Sequence, residues 1–152
     1  MKQAKEIILT LLAVCLFMAC SSDEESDAYQ YEESPVSLDG TWHMAGAYFS
    51  FDGVSEFKVQ PGDVTVSFNP DRTMQVVNKS ETSQMKQFYA SGLYSYEVIS
   101  SQTSPSDGTV FTLISIEGQK CTYWFRDGLL TLDFGMAYDA PGYYFKKLKK
   151  KM

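Results

Sequence analysis

Apolar and polar residues alternate in short runs along most of the chain, and turn-forming residues separate the runs. Successive side chains of a β-strand point to opposite faces, so this alternation predicts half-buried strands. The predicted strands cover residues 40–51, 54–60, 64–68, 73–77, one opening at Gly92, 109–116, 120–126, 129–134 and 143–148, with a polar loop at 100–108. Residues 36–148 show no helical periodicity, so the predicted fold class is all-β.

The Asp127-Gly128 dipeptide is the strongest turn signal in the sequence, because Asp-Gly favours a two-residue hairpin turn. It predicts that Phe125 faces Leu130 and that Tyr123 faces Leu132 across the hairpin. Directly opposed residues share a face of the sheet. The inner face of this hairpin is therefore predicted to hold Cys121, Tyr123, Phe125, Leu130, Leu132 and Phe134.

A second turn is predicted one hairpin earlier, at Gly118-Gln119. It pairs Glu117 with Lys120 on the outer face and places Ile114 opposite Tyr123. The inner sets of the two hairpins then agree, which an arbitrary register would not give. About eight or nine short antiparallel strands favour closure into an up-and-down β-barrel, because closure leaves no sheet edge exposed.

Aromatic residues make up 14% of the chain, and several fall on the predicted inner face. An eight-stranded barrel is just wide enough either to be filled by side chains or to hold one small ligand. Both interpretations stay open: a packed interior, or an apolar pocket for a small hydrophobic molecule. The ligand-binding candidates are Tyr94, Tyr96, Tyr123, Phe125 and Phe134. Trp42 is predicted instead to have a structural role, plugging one end of the barrel.

The same register places a group of apolar residues on the outer face of the barrel. The group consists of Phe111, Leu113, Trp124 and Leu129, with Phe111 opposite Arg126. Adjacent exposed apolar residues can mark a surface for a protein partner. One hypothesis is therefore a barrel that docks onto an envelope complex or inhibits a foreign enzyme. The alternative is that a loop or the segment around Val36 covers the group.

Catalytic chemistry has little support in the residue types. The chain has one histidine, His43, which is predicted to point outward. Cys121 is predicted to point inward and to behave as a small hydrophobic group with no base to activate it. No catalytic residue, metal cluster or phosphate loop can be assembled from the sequence, and no cofactor is predicted. The net charge of −6 argues against nucleic acid as a partner, because phosphate backbones require clustered Lys and Arg.

Residues 1–19 have the order of a secretory signal. Lys2 and Lys5 precede an uncharged apolar stretch at 7–18, which is shorter than the roughly 20 residues of a membrane-spanning helix. The end of this stretch, Phe17-Met18-Ala19-Cys20, resembles the lipobox of bacterial lipoproteins. That resemblance implies cleavage before Cys20. It also implies that Cys20 carries a diacylglyceryl group and an N-acyl chain such as palmitate, which would anchor the protein in a membrane.

Residues 20–35 are acidic and poor in apolar side chains, which predicts a disordered tether. They also resemble the acidic signal that sends some lipoproteins of Gram-negative bacteria to the cell surface, and a plain spacer is the alternative. The expected localisation is the outer membrane, lipid-anchored, with the cell surface as the destination if that signal operates. Residues 149–152 form a basic tail, which we interpret as a solvated end.

The segment Leu38-Asp39-Gly40-Thr41-Trp42 resembles the Gly-x-Trp opening of lipocalins and bacterial lipocalin-like lipoproteins. Phe68-Asn69-Pro70-Asp71, Tyr94-Ser95-Tyr96, a late Asp-Gly hairpin and a closing Tyr-Tyr-Phe-Lys strand follow in the order typical of those relatives. The likeness covers residues 36–148 and implies a lipocalin-like barrel that binds a small hydrophobic ligand without catalysis. The Thr-Asp-Tyr motif is absent, and the Arg that packs on the motif Trp has no counterpart unless Lys146 or Lys147 replaces it.

Overall fold

The computed structural model describes residues 29–49, 55–82, 87–135 and 140–150. The chain divides into two compact units, Met1–Gln30 and Tyr31–Met152, and the architecture below is that of the second. The predicted signal, Cys20, residues 21–28 of the predicted tether and the end of the predicted basic tail lie outside the described residues. So do residues 50, 51 and 54 of the first two predicted strands. Within the described ranges, no helix has the length and apolar character needed to cross a membrane.

The described residues form one antiparallel sheet that closes on itself. Its strands are β1 (Gly40–Phe49), β2 (Ser55–Lys58), β3 (Val64–Phe68), β4 (Thr73–Asn78), β5 (Gly92–Thr103), β6 (Val110–Ile116), β7 (Gln119–Arg126), β8 (Leu129–Asp133) and β9 (Gly142–Lys147). The order is β2-β1-β3-β4-β5-β6-β7-β8-β9, and pairing of β1 with β9 closes the barrel.

Two of the strands share one position in the barrel wall. β3 pairs with the first half of β1, and β2 pairs with the second half along the same edge. The backbone N–H of Val59, just after β2, donates to the carbonyl of Ala45 at 3.2 Å and links the two halves. The closed barrel therefore has eight strand positions. The predicted all-β up-and-down barrel is confirmed, and this architecture is compatible with a lipocalin-like fold.

The predicted register of the β7–β8 hairpin is confirmed. Phe125 pairs with Leu130, and Tyr123 pairs with Leu132. The turn residues of Asp127-Gly128 have φ values of 52° and 77°. Both are left-handed, as the type I′ turn of a two-residue hairpin requires.

The turn between β6 and β7 lies one residue earlier than predicted. It is Glu117-Gly118, with φ values of 48° and 85°, and not Gly118-Gln119. Ile114 therefore pairs with Cys121 and not with Tyr123, so the predicted register is wrong by two residues. A shift of two returns every side chain to its own face, because side chains alternate with a period of two. The predicted inner and outer faces are preserved for that reason.

Strand β5 is longer than the sequence pattern predicts. Residues 100–103, assigned above to a polar loop, continue β5 and pair with the start of β6. The register shifts between Val98 and Ser100, which marks a bulge at Ile99. Beyond the bulge, the hydroxyls of Ser101 and Thr112 form a hydrogen bond of 2.9 Å across the two strands. Pairing of small polar side chains stabilises a strand here that hydrophobic alternation does not reveal.

Large side chains pack together inside the barrel. The largest fully buried ones are Trp42, Tyr143, Phe68, Phe145, Met44, Met74, Ile114, Ile116, Leu130 and Leu132. We name the two ends of the barrel by a buried aromatic residue at each. The Trp42 end is where β1, β4, β6 and β8 begin, and the Phe88 end is where β5, β7 and β9 begin.

Candidate functional site

The segment before β1 crosses the Trp42 end of the barrel. Trp42 is fully buried, and its indole N–H donates to the carbonyl of Leu38 at 2.8 Å. The ring of Phe125 stacks on the indole with centroids 5.9 Å apart. Leu38 is itself buried, so this part of the end is filled by side chains from the segment and from β1 and β7.

A buried lysine holds the crossing segment in place. The Lys147 ammonium donates to the carbonyl of Ser37 at 3.2 Å and lies 3.5 Å from the Glu32 carboxylate. It also lies 5.5 Å from the centroid of the Trp42 ring, within cation–π range. A Cβ on Gly40 would be 2.8 Å from Cε of Lys147, and the φ of Gly40 is +126°. The glycine of the Gly-Thr-Trp opening thus leaves room for the lysine that covers the tryptophan.

An open cleft lies beside this segment. It has a volume of about 330 Å³ and is lined by Val36, Ser37, Leu38, Asp39, Pro70, Arg72, Tyr96, Val98 and Tyr123. We call it the Tyr96 cleft. Its volume is at the lower end of the roughly 300–1,000 Å³ typical of small-molecule sites.

Tyr96 is held in the wall of the cleft by contacts on several sides. Its hydroxyl donates to the carbonyl of Asn69 at 3.3 Å, and its ring packs edge-on against Phe68 at 5.5 Å. The Arg72 guanidinium lies 5.8 Å from the ring centroid. Burial, and then the charge of Asp39, raise the pKa of Tyr96 against the opposing effect of Arg72. The phenol is therefore neutral at physiological pH and offers an apolar face with a fixed polar edge.

The other lining residues add apolar surface around Tyr96. Val98 is 41% exposed although its β6 partner, Ile114, is fully buried. Tyr123 is half-buried and packs against the ring of Phe125 at 5.7 Å. Val36 is 89% exposed at the rim of the cleft. These side chains supply the apolar part of a lining whose exposed surface is more polar than apolar.

A second, smaller cavity lies at the Phe88 end. It measures about 240 Å³, and its walls include Phe88, Tyr89, Phe134 and Tyr143. Here rings contact rings: the centroids of Phe88 and Tyr143 are 4.8 Å apart. The Tyr89 hydroxyl donates to Oε1 of Gln119 at 3.1 Å, which fixes its ring across the opening. This cavity is a gap within an aromatic cluster, and its walls are held by mutual packing.

The five predicted ligand-binding residues do not meet in one pocket. Tyr96 and Tyr123 line the Tyr96 cleft, whereas Phe125 stacks on Trp42 next to it. Phe134 lines the cavity at the Phe88 end. Tyr94 lies near that end too: its hydroxyl donates to the carbonyl of Ala90 at 2.9 Å, and its ring lies 4.8 Å from Tyr89. The alternation identified the inner face correctly but carried no information about position along the barrel axis.

Several lining residues of the Tyr96 cleft were not among the sequence candidates. They are Val36, Ser37, Leu38, Asp39, Pro70, Arg72 and Val98. The Asn69-Pro70-Asp71 turn signal preceded Arg72 directly, and the Gly-Thr-Trp opening marked the crossing segment. Neither signal shows that the turn and the crossing segment lie side by side, because only closure of the barrel brings them together.

The predicted outer group is half-buried and does not form one exposed patch. Phe111 packs on Trp124 with ring centroids 5.3 Å apart. The predicted position of Phe111 opposite Arg126 is wrong, because the β6–β7 register pairs Thr112 with Tyr123 and so places Phe111 opposite Trp124. Leu113, Trp124 and Leu129 are all half-buried as well.

Leu129 lies in a groove on the outer wall, about 360 Å³ in volume, beside Tyr31, His43 and Lys146. His43 faces outward, yet it is buried because residues around Tyr31 cover it. The Tyr31 hydroxyl and Nδ1 of His43 are 3.1 Å apart, within hydrogen-bond distance. Burial lowers the pKa of His43.

Cys121 is buried inside the barrel. Burial, with a smaller effect from the charge of Asp133, raises the pKa of the thiol to about 12. The thiol is therefore protonated at neutral pH and lacks the thiolate that nucleophilic chemistry requires. No group of three or more His, Cys, Asp or Glu residues able to hold a metal ion occurs in the described part of the chain.

The fold and these sites define a class: a small, closed, antiparallel β-barrel with a cleft at one end. Comparison of the chain with protein-family models, with curated proteins and with solved structures gave no match.

Proposed function

We propose that this chain is a lipid-anchored, lipocalin-like binding protein that holds a small, mainly hydrophobic molecule in the Tyr96 cleft. The observation that carries the proposal is the cleft itself, of about 330 Å³, with the rings of Tyr96 and Tyr123 in its wall. Ligand sites combine apolar side chains with fixed polar groups, and the exposed lining of this cleft is more polar than apolar. The tyrosine hydroxyl of Tyr96 and the charged groups of Asp39 and Arg72 supply those polar groups.

The packing of the rest of the barrel favours the Tyr96 cleft as the ligand site. Trp42, Phe68, Met74 and Phe145 are fully buried within the barrel. A ligand at the Trp42 end would displace no core side chain. The bound molecule would contact the crossing segment on one side and the β5–β7 wall on the other.

A pair of matched valine substitutions tests the proposal. Val98→Trp fills the cleft from a side chain that is 41% exposed, so the core is left undisturbed. Val77→Trp makes the same change at a valine that is 37% exposed on β4, away from the cleft. Binding of decanol to the purified full chain, measured by calorimetry, should weaken at least about tenfold in Val98→Trp and stay within about twofold in Val77→Trp. Equal binding by Val98→Trp and the unsubstituted chain would contradict the proposal.

Export and anchoring are part of the same proposal and rest on the sequence. The lipobox-like Phe17-Met18-Ala19-Cys20 supports lipidation of Cys20, and the acidic residues that follow support an outer-membrane, surface-facing location. Metabolic labelling with palmitate in a Gram-negative host should label the chain and should fail to label Cys20→Ala. Label retained on Cys20→Ala would show that Cys20 is not the acylated residue.

The alternative hypothesis, a partner surface on the outer face, is less well supported. Phe111 and Trp124 cover one another, and Leu129 lies beside Tyr31 in the outer groove. Pull-down from solubilised membranes, compared between the unsubstituted chain and Trp124→Asp, distinguishes the two. A partner lost with Trp124→Asp would favour the outer surface, and an unchanged set of partners would leave the cleft as the functional site.

A further inference from the structure

We propose that Arg72 makes the Tyr96 cleft selective for amphipathic molecules that carry a carboxylate on an apolar body. This inference rests on the proposed function, since it assumes that the cleft binds a small molecule. It names the chemical class of that molecule and the residue that recognises its polar end.

The backbone of Arg72 is in a conformation that its side chain disfavours. Its φ is 66°, in the left-handed region that glycine adopts without penalty. The residue follows the turn Asn69-Pro70-Asp71 between β3 and β4, and its N–H donates to the carbonyl of Asn69 at 3.1 Å. A left-handed residue after such a turn is normally glycine. Strained positions of this kind cluster at ligand sites, which makes the arginine here a candidate for recognition.

Among the described residues, two others with side chains share this conformation, and both lie in two-residue turns that require it. Asp127 belongs to an Asp-Gly turn, where the type I′ geometry requires a left-handed φ. Glu117 accepts hydrogen bonds from the backbone N–H and the hydroxyl of Ser95 at 2.7 and 2.9 Å. The turn between β3 and β4 likewise accounts for the φ of Arg72, and the guanidinium that it carries lies over the ring of Tyr96, at the mouth of the cleft.

The charge of Arg72 is available to a ligand. The neighbouring Asp71 carboxylate accepts hydrogen bonds from the N–H and hydroxyl of Thr73 at 3.1 and 2.6 Å. Among the described residues, the ion pairs are Arg126 with Asp107 and Lys147 with Glu32, and no carboxylate lies within 4.0 Å of Arg72. An arginine fork without a carboxylate partner is suited to bidentate binding of a planar anion.

The surroundings of Arg72 define the rest of the ligand. Tyr96, Val98 and Tyr123 provide the apolar wall, and Val36 the rim. A molecule that fits both Arg72 and the apolar wall has an alkyl or aromatic body with a carboxylate at one end. The body would lie against the two tyrosine rings while the carboxylate meets Arg72 at the edge of the cleft.

Decanoate and decanol serve as matched probes, since they differ mainly in the charged head group. Calorimetry on the purified full chain should show that decanoate binds about tenfold more tightly than decanol. Arg72→Gln should remove that preference, so that decanoate and decanol bind within about twofold of one another. Arg126→Gln is the matched control: it removes the same charge from the other arginine of the chain, which is paired with Asp107. This control should keep the preference.

The outcomes separate this inference from the proposed function. Failure of both probes to bind would overturn the proposed function. Equal binding of the two probes, or a preference that survives Arg72→Gln, would overturn the inference and leave the function standing. A preference lost equally in Arg72→Gln and Arg126→Gln would also overturn it, because net charge alone would then explain the effect.

A glycine variant checks that the role of Arg72 is recognition and not folding. Arg72→Gly removes both the charge and the backbone strain, so its melting temperature should not fall below that of the unsubstituted chain by more than about 2 °C. The preference for decanoate should nevertheless disappear. A lower melting temperature with the preference retained would assign Arg72 a structural role and contradict the inference.

Discussion

The two ends of the barrel are closed by different means. At the Phe88 end, rings pack on rings: Phe88 contacts Tyr89, Tyr143 and Phe145 with centroid distances of 5.3, 4.8 and 5.8 Å. At the Trp42 end, a segment of chain crosses the opening and is held by hydrogen bonds and a buried lysine. Ring packing at the Phe88 end leaves a smaller cavity of about 240 Å³ among aromatic walls, whereas the crossing segment covers only the width of one chain. The Trp42 end therefore keeps a cleft at its side.

The two ends are expected to have different roles, one in the stability of the fold and the other in the binding of a ligand. The aromatic cluster at the Phe88 end should contribute mainly to the free energy of unfolding, because burial of each ring removes a large apolar area from water. The crossing segment should contribute less to stability and should determine the shape of the Tyr96 cleft. Substitutions at the two ends are expected to affect different measurements.

The largest effect on stability is expected from Phe88→Ala. Phe88 is 5% exposed, and removal of its ring leaves a cavity against Tyr143 and Phe145. The free energy of unfolding, measured by urea titration, should fall by about 3–5 kcal/mol, while decanol binding at the far end should stay within about twofold. Phe111→Ala, on a half-buried ring of the outer wall, is the control and should cost about half as much. A loss below about 1 kcal/mol for Phe88→Ala would contradict this view of the Phe88 end.

Lys147 tests the crossing segment at the Trp42 end. Lys147→Glu places a second negative charge beside Glu32 and buries it, so the free energy of unfolding should fall by about 3 kcal/mol. Lys147→Met keeps the aliphatic stem over Trp42 but loses the hydrogen bond to Ser37 and the ion pair with Glu32, so it should cost about 1–2 kcal/mol. A loss close to zero in Lys147→Met would show that the charge of Lys147 does not hold the segment.

Substitution of Gly40 tests the same contact with Lys147, with a smaller expected loss of stability. Gly40→Ala combines a left-handed φ with a Cβ placed 2.8 Å from Lys147 Cε, and we expect a loss of about 2 kcal/mol in urea titration. Gly108 also has a left-handed φ, of +73°, but open space around its missing Cβ. Gly108→Ala should therefore report the backbone term alone, at about 1 kcal/mol. A cost for Gly40→Ala no larger than that of Gly108→Ala would contradict the close approach of Lys147.

The smallest predicted effect is the pH dependence from His43. Burial lowers its pKa from the ordinary value of 6.5, so the unfolded chain binds a proton at higher pH than the folded chain does. Neutral His43 therefore makes its full contribution to the free energy of unfolding above pH 6.5, and this contribution is lost as the pH falls through the lowered pKa. Lys146 and Lys58 line the same groove as His43. The urea concentration at the unfolding midpoint should therefore decrease as the pH is lowered from about 7 to about 5.5, and it should decrease less in His43→Gln. An equal fall in His43→Gln would contradict the assignment.

The general form of the barrel was predictable because it depends on alternation. Strand faces follow from a period of two, which is why Leu130 and Leu132 are fully buried as predicted. The β6–β7 register was not predictable in the same way. The expected pairing of Glu117 with Lys120 suggested a turn at Gly118-Gln119, but Gly118 belongs at the second turn position, where a left-handed φ is required.

The candidate site was predictable only in part. Tyr96 and Tyr123 were identified because they lie on the inner face, and both line the cleft. Asp39 and Arg72 were missed because they come from the crossing segment and a turn, whose proximity depends on how the barrel closes. Phe88 was missed because it lies in a segment between strands, outside any alternating run.

Mapping of amide chemical shifts in the full chain, as decanol is added, would locate the binding site directly. We expect the largest changes at Tyr96, Val98 and Tyr123, and small changes at Phe88 and Tyr143. Changes centred on Phe88 and Tyr143 would move the site to the other end of the barrel. Such a result would contradict the division of the molecule into a packed end and a binding end.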